Sequence, residues 1–200
     1  MTQLWPGNYG QGTDVATQRS LEALQTDYLD LYLLHWPGGP AADLQHSWRK
    51  LELLLDSGRA RAIGVSNFQQ RHLERLLDHC SIVPHCNQVE FHPFQQDWPL
   101  IRFCRERGVA VAGYSPLAKG EAVEHPGLCQ VGAELGVTAA QVAVRFSLQH
   151  NIITIPKSTK LHRVIQNMDV YNFQLTEQQM DRIGQLNRNL RVTWDPTLVP

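Results

Sequence analysis

The chain has 200 residues, 42% of them apolar, with 18 Lys and Arg against 19 Asp and Glu. That is enough apolar content for the core of one ordinary domain, and a formal net charge of -1 leaves no bulk field to recruit nucleic acid or an anionic membrane. No run of about 18 apolar residues occurs, and the amino terminus lacks a basic segment followed by an apolar core, so the sequence predicts a cytoplasmic protein with no membrane partner.

Taken in order, the pattern alternates between helical period and short apolar runs. A helical stripe over Asp14 to Leu24 precedes the run Leu29 to Leu34, which stops at His35. Leu44, Trp48, Leu51 and Leu55 then fall at spacings of four, three and four, one face of a covering helix that ends at Gly58. The run Ala62 to Val65 stops at Ser66-Asn67, and a helical stretch Gln69 to Leu77 follows. Cys86 to Phe91 stops at His92, and Leu100 to Arg107 reads as a helix closed by Gly108. Val109 to Tyr114 stops at Ser115, Thr138 opens a helix to Leu148, and Ile152 to Ile155 stops at Pro156-Lys157-Ser158. Thr176-Glu177-Gln178-Gln179 has the spacing of a capping box. Five apolar runs that each end in a polar cluster predict strands whose carboxyl ends converge on a pocket, as in parallel α/β proteins.

The four cysteines Cys80, Cys86, Cys104 and Cys129 show no close pairing, which predicts reduced thiols. His79-Cys80 and His85-Cys86 carry zinc-type ligands, but zinc motifs pair ligands two to four residues apart, and Ile82-Val83-Pro84 reads as the approach to a buried strand. No metal is expected.

No repeat, low-complexity tract or linker divides the chain, so residues 1–200 are expected to form a single domain. An open doubly wound sheet and a (β/α)₈ barrel both satisfy the alternation. Length favours the former, since barrels take about 250 residues. The turn His35-Trp36-Pro37-Gly38-Gly39-Pro40 opposes it, because its prolines spoil the glycine-rich strand-to-helix turn of dinucleotide folds.

The strand endings decide between the two. Asp27-Tyr28-Leu29-Asp30-Leu31-Tyr32-Leu33-Leu34-His35-Trp36-Pro37, Gly64-Val65-Ser66-Asn67-Phe68, Asn87-Gln88-Val89-Glu90-Phe91-His92-Pro93, Tyr114-Ser115-Pro116-Leu117, Ile155-Pro156-Lys157-Ser158 and Trp194-Asp195-Pro196 occur in that order. Together they resemble the aldo-keto reductase family, across essentially the whole chain. The resemblance implies a parallel (β/α)₈ barrel of TIM type, incomplete here and comprising roughly the last five to six βα units. It also implies NADPH-dependent reduction of aldehydes or ketones to alcohols by hydride transfer.

Several residues make chemical sense in that light. Lys157, Ser158, Thr159 and Arg163 form a cationic, hydroxyl-rich cluster at a strand-to-helix junction, where free N–H groups and the helix dipole favour an anion. In the family this motif holds the 2′-phosphate of NADPH, and the Arg163 fork suits adenine stacking and phosphate pairing. Ser66, Asn67 and Gln88 offer the groups a nicotinamide carboxamide needs, and Tyr114 offers a flat face for its ring. Equally, Asn67 has the chemistry of a cap for the helix near Gln69, and Tyr114 that of a core residue. The resemblance places Ser115 and Leu117 beside the pyrophosphate, with the loop through Lys119 and Gly120 over it. Gln166 and Asn167 match positions facing adenine, although the family more often has glutamate at the first.

His35 is the catalytic candidate: a lone imidazole at a strand's carboxyl end, flanked by Trp36 and Pro37, suits a carbonyl oxygen, while a buried structural histidine is the bland alternative. Trp5, Trp36 and Trp194 are expected to line the substrate pocket, with the tail from Arg191 to Pro200 at its rim. In the family the matching histidine orients the carbonyl, while a tyrosine with its pKa lowered by a lysine–aspartate pair donates the proton.

Two departures qualify the expectation. Thr2-Gln3-Leu4-Trp5 aligns with a strand that ordinarily reads Thr-Lys-Leu-Trp, so Gln3 stands at the lysine position. With Met1 as the first residue, the units that carry the family's aspartate and tyrosine are expected to be missing, so that of the four catalytic groups only His35 remains. Weak or lost turnover is the consequence, and an inactive NADPH-binding or protein-interaction module, self-associating through open strand edges, is the alternative.

Overall fold

The computed structural model describes residues 1–199. Its elements alternate as expected: β1 (Thr2–Leu4), α1 (Thr13–Leu24), β2 (Tyr32–Leu34), α2 (Ala41–Asp56), β3 (Ile63–Ser66), α3 (Gln70–Leu77), β4 (Cys86–Glu90), α4 (Trp98–Glu106) and β5 (Ala110–Tyr114). They continue through α5 (Glu121–Glu124), α6 (Pro126–Leu135), α7 (Ala139–Gln149), β6 (Ile153–Thr154), α8 (Leu161–Met168) and α9 (Glu177–Gly184). The strands form one six-stranded sheet in sequence order, in which β1 and β2, β2 and β3, β3 and β4, and β5 and β6 pair in parallel. Sequential parallel order with a helical crossover between neighbours is the arrangement of a singly wound (β/α) barrel.

Differences from the sequence reading lie mostly at strand ends. The run from Leu29 supplies only an isolated bridge to Ala60 before β2 begins at Tyr32, whereas Thr2–Leu4 forms a strand paired with β2, as its alignment with a family strand implies. Helices α5 and α6 carried no sequence expectation; Pro126 opens α6 and Gly136, at φ 67°, closes it.

Contacts divide the chain into two compact units. The first runs from Met1 to Gln88, with Leu100–Ala110 and the segment from Asp195. Its strands contribute Leu4, Leu33, Leu34, Ile63 and Val65 to a core closed by Trp48 and Leu51 of α2 and Leu73 and Leu76 of α3, all at most 2% exposed. Fully burying each such side chain stabilises the fold by about 1.5–3 kcal/mol, so the covering stripes of α2 and α3 hold these helices against the strands. Gly64 permits the close approach of β3 to β4: a Cβ there would lie 2.4 Å from the Cys86 carbonyl oxygen.

The second unit comprises Val89–Pro99 and Val111–Trp194. Phe91 and Phe146 stack with centroids 6.0 Å apart, and His150 meets the Phe146 ring edge-on at 4.6 Å. Thr138 caps α7 and Thr176 caps α9, each accepting from the backbone N–H three residues on, as the sequence predicts. On α8, Leu161, Val164, Ile165 and Met168 stand 75%, 37%, 59% and 71% exposed, an apolar row on the outside of the unit.

Candidate active site

In the first unit, three residues that follow strand ends meet at one place. His35 comes directly after β2, and its backbone N–H donates to Leu4 O at 2.9 Å. Its ring lies 4.5 Å from Trp5 and 4.8 Å from Trp36, and the two indoles meet edge-on at 5.0 Å. His35 is half-buried, and that burial lowers its pKa below the ordinary 6.5. Gly38 lets the Trp36 indole lie against the following turn, because a Cβ there would sit 2.4 Å from Trp36 Nε1.

Gln3 reaches this ring. Its Oε1 contacts His35 Nδ1, and its Nε2 donates to Gln88 Oε1 at 2.9 Å. Gln88 in turn anchors the strand ends: its backbone carbonyl accepts from Ser66 Oγ at 3.0 Å and from Asn67 N–H at 2.8 Å. Asn67 Nδ2 donates to the His35 carbonyl at 3.1 Å. Ser66, Asn67 and Gln88 are buried polar side chains at the carboxyl end of parallel strands, linked to His35 and Gln3 by hydrogen bonds. Asn67, at φ 62°, does not cap the next helix; Gln69 does, its N–H donating to His72 Nδ1 at 3.0 Å.

Tyr9 is the tyrosine that sequence reasoning passed over. Its hydroxyl donates to Trp36 O at 2.8 Å, and burial raises its pKa far above the ordinary range, so it is a poor proton donor.

The second unit assembles a cleft of about 500 Å³ whose lining includes Ser115, Leu117, Lys119, Gly120, Lys157 and Arg163. Ser115, Ala118 and Lys119 all take left-handed backbone conformations, the kind of turn whose N–H groups curl toward an anion. Lys157 is exposed in the turn after β6, Ser158 Oγ accepts from Lys160 N–H at 3.1 Å, Thr159 is exposed beside it, and Arg163 is exposed in the first turn of α8. Gln166 is exposed on α8 while its neighbour Asn167 is buried, as adjacent helical residues pointing about 100° apart must differ.

Tyr114 ends β5 half-buried, and its hydroxyl lies 3.1 Å from Thr193 Oγ1. Thr193 donates its own proton to Glu90 Oε2, so Tyr114 is the donor of that pair and its ring, rather than its hydroxyl, is left to meet a ligand. Burial raises the Tyr114 pKa, with Glu90 adding to the effect. The sequence reading missed Glu90, which is 2% exposed and accepts from His92 Nε2 at 3.0 Å and from Val192 N–H at 2.7 Å. An acid set inside the apolar run Val89-Glu90-Phe91 was the available signal. Trp194 is 46% exposed beyond this anchor, and Pro200 lies outside the described residues.

Comparison with known proteins decides the family. The profile described as "Aldo/keto reductase family" matches residues 11–125 and 122–188. This chain belongs to the aldo/keto reductase family. An oxidoreductase of Bacillus subtilis, YtbE, is 46% identical over 98% of this aldo/keto reductase and 69% of its own length. The glyoxal reductase of the same organism is 44% identical over 98% of this chain and 70% of its own. Among solved structures, an aldo-keto reductase from a Medee basin deep-sea metagenome superposes with a TM-score of 0.95 at 32% identity, covering all of this chain and 76% of the other. The aldose reductase of Schistosoma japonicum superposes with a TM-score of 0.88 at 30% identity, covering 95% of this chain and 69% of the other. The six parallel strands therefore correspond to part of a (β/α)₈ barrel. Among the described residues of this aldo/keto reductase, no single helix is long and apolar enough to cross a membrane.

Proposed function

We propose that the chain carries out NADPH-linked reduction of small aldehydes and ketones to alcohols. One observation carries the reading beyond family membership: the second unit's cleft is lined by Lys119, Lys157 and Arg163 beside Ser115, with a turn of left-handed residues along one side. Three cations around one opening fit a multiply charged phosphate ligand, and the guanidinium adds a planar, bidentate contact. Lys157, Ser158, Thr159 and Arg163 are assigned to the 2′-phosphate, Ser115 and Leu117 to the pyrophosphate, and Gln166 and Asn167 to adenine. Ser66, Asn67 and Gln88 are assigned to the carboxamide, and Tyr114 to the nicotinamide face. The reduced nicotinamide supplies the hydride when bound.

The chain's own residues do the rest. Trp5 and Trp36 pack around the imidazole and exclude water from one side of it, and Trp194 is assigned to the same apolar role for the substrate. His35 engages Gln3 through Nδ1, which leaves Nε2 for the substrate oxygen. In its protonated form that nitrogen donates a hydrogen bond to a carbonyl and stabilises negative charge as it develops on oxygen. The test is oxidation of NADPH with a panel of aldehydes that includes glyoxal. His35→Ala should lower kcat/KM by about 10²–10³, the usual cost of losing one such donor, whereas an unchanged rate would take His35 out of the mechanism.

A second reading, a module that binds NADPH without turnover, is favoured by one observation: an uncharged amide, Gln3, occupies the place beside His35 where the family pattern has lysine. Tight NADPH binding with no turnover of any aldehyde in the panel would select it.

A further inference from the structure

Gln3 does more than fill the place of a lysine. An amide has one end that only accepts and one that only donates, so the orientation of Gln3 dictates which nitrogen of His35 carries the proton. Two orientations are chemically conceivable, and the chain of contacts distinguishes them. As observed, Gln3 Nε2 donates to Gln88 Oε1 at 2.9 Å, and Gln88 Nε2 donates to the Met1 sulphur at 3.3 Å. Reversing both amides would turn the Gln88 carbonyl oxygen toward a sulphur that has no proton to give. The observed order places Gln3 Oε1, an acceptor, against His35 Nδ1, and two acceptors cannot meet there. The proton of the neutral ring therefore sits on Nδ1, and Nε2 has a lone pair.

The surroundings hold the ring in place. Trp5 and Trp36 flank it at 4.5 Å and 4.8 Å, and its backbone is fixed by Asn67 Nδ2 on its carbonyl and by Leu4 O on its N–H. Nε2 has no hydrogen-bond partner among the described residues. Burial also disfavours the charged ring, so the neutral form is the one a ligand meets first.

We propose that Gln3 is a positioning residue that locks uncharged His35 in the Nδ1–H tautomer, so that the ring recognises a hydroxyl donor, an alcohol or the gem-diol form of an aldehyde, through Nε2. The ligand half rests on the reading of His35 as the substrate-facing group; the tautomer half does not. A neutral ring of this kind accepts from an alcohol and repels a carbonyl oxygen, whereas the opposite tautomer does the reverse. A lysine in place of Gln3 has only protons to offer and would demand a lone pair on Nδ1, moving the ring proton to Nε2. A glutamate has only lone pairs and would keep the proton on Nδ1.

The test reads the ring directly, without cofactor or turnover. Long-range proton–nitrogen correlation on the ¹⁵N-labelled chain reports a protonated and a bare ring nitrogen separately, and His35→Gln identifies the His35 signals among the nine histidines. At a pH where the ring is neutral, the expected result is a protonated Nδ1 and bare Nε2 in the wild type and in Gln3→Glu, and the reverse in Gln3→Lys. A protonated Nε2 in the wild type, or a tautomer indifferent to all three side chains at position 3, would overturn the proposal. Titration with propanol, glyoxal hydrate and acetone tests the ligand half. Hydroxyl probes should shift Nε2 and acetone should not; a shift with glyoxal hydrate alone assigns the site to gem-diols, and with both hydroxyl probes to alcohols as well. A shift with acetone alone, or none with either hydroxyl probe at saturation, would overturn it. Failure of this half with the tautomer intact leaves the reductase reading to be judged on its own rate assay.

Discussion

At the scale of single residues, the site is governed by which hydrogen bonds are already used. Tyr9 and Tyr114 spend their hydroxyl protons on Trp36 O and Thr193 Oγ1, and burial raises both of their pKa values, so neither is set up as an acid. His35 has one nitrogen committed and one free. Since only the imidazolium donates from Nε2, carbonyl reduction should require the protonated ring and fall as pH rises through the His35 pKa, which burial sets below 6.5. A pH profile of kcat/KM checks this; a rate flat across that range would show that another group supplies the donor. His35 itself was legible from sequence because a lone imidazole after an apolar run is conspicuous. Its link to Gln3 was not, because the two lie 32 positions apart and meet only through strand pairing, with Gln3 opposite Leu33 in the register of β1 and β2.

At the scale of elements, the helices declared themselves more accurately than the strands. Thr138 and Thr176 carry their caps in local sequence, and both capping boxes form. Thr138→Ala should therefore cost about 1 kcal/mol, seen as a lower urea midpoint, and no change would mean that tertiary packing holds the start of α7 unaided. Strand limits depend on partners distant in sequence. Leu29 and Leu31 look as apolar as the rest of their run, yet only Tyr32–Leu34 pair along their length with neighbours on both sides. Gly64 shows the same dependence: nothing local marks it, but the Cys86 carbonyl 2.4 Å from its missing Cβ forbids a larger residue. Gly64→Ala should force β3 from β4 and cost about 1–3 kcal/mol, with the thermal midpoint as the readout.

At the scale of the whole molecule, one buried carboxylate ties distant chain segments of the second unit together. Glu90 sits at the end of β4 and holds Val192 and Thr193, about a hundred residues away in sequence. Burial alone would raise its pKa, but hydrogen bonds from His92, Thr193 and the Val192 N–H outweigh burial and leave it below 4.5. A carboxylate whose folded pKa is depressed contributes stability that is present above the unfolded value and is lost as pH falls through the folded one. Acidification should thus loosen the segment that carries Tyr114's partner, and Glu90→Gln should be less stable at neutral pH with a shallower acid transition; equal acid transitions would mean that other carboxylates dominate. Five of the six strands were legible in the sequence alternation and their sequential order in the resemblance to a (β/α)₈ barrel, whereas this long-range tie was not, because Thr193 and Val192 have no local pattern that points to Glu90.

The central claim, that this aldo/keto reductase chain takes NADPH through its cationic cleft, is tested most directly by equilibrium titration of the chain with NADPH and with NADH, followed by quenching of its five tryptophans. The account predicts saturable NADPH binding at about the micromolar level, roughly -8 kcal/mol. It further predicts that Lys157→Ala with Arg163→Ala weakens NADPH by about a hundredfold or more, since each charge-assisted bond is worth about 1.5–3 kcal/mol, while NADH changes little. Equal losses for both nucleotides, or no NADPH binding by the wild-type chain, would contradict it.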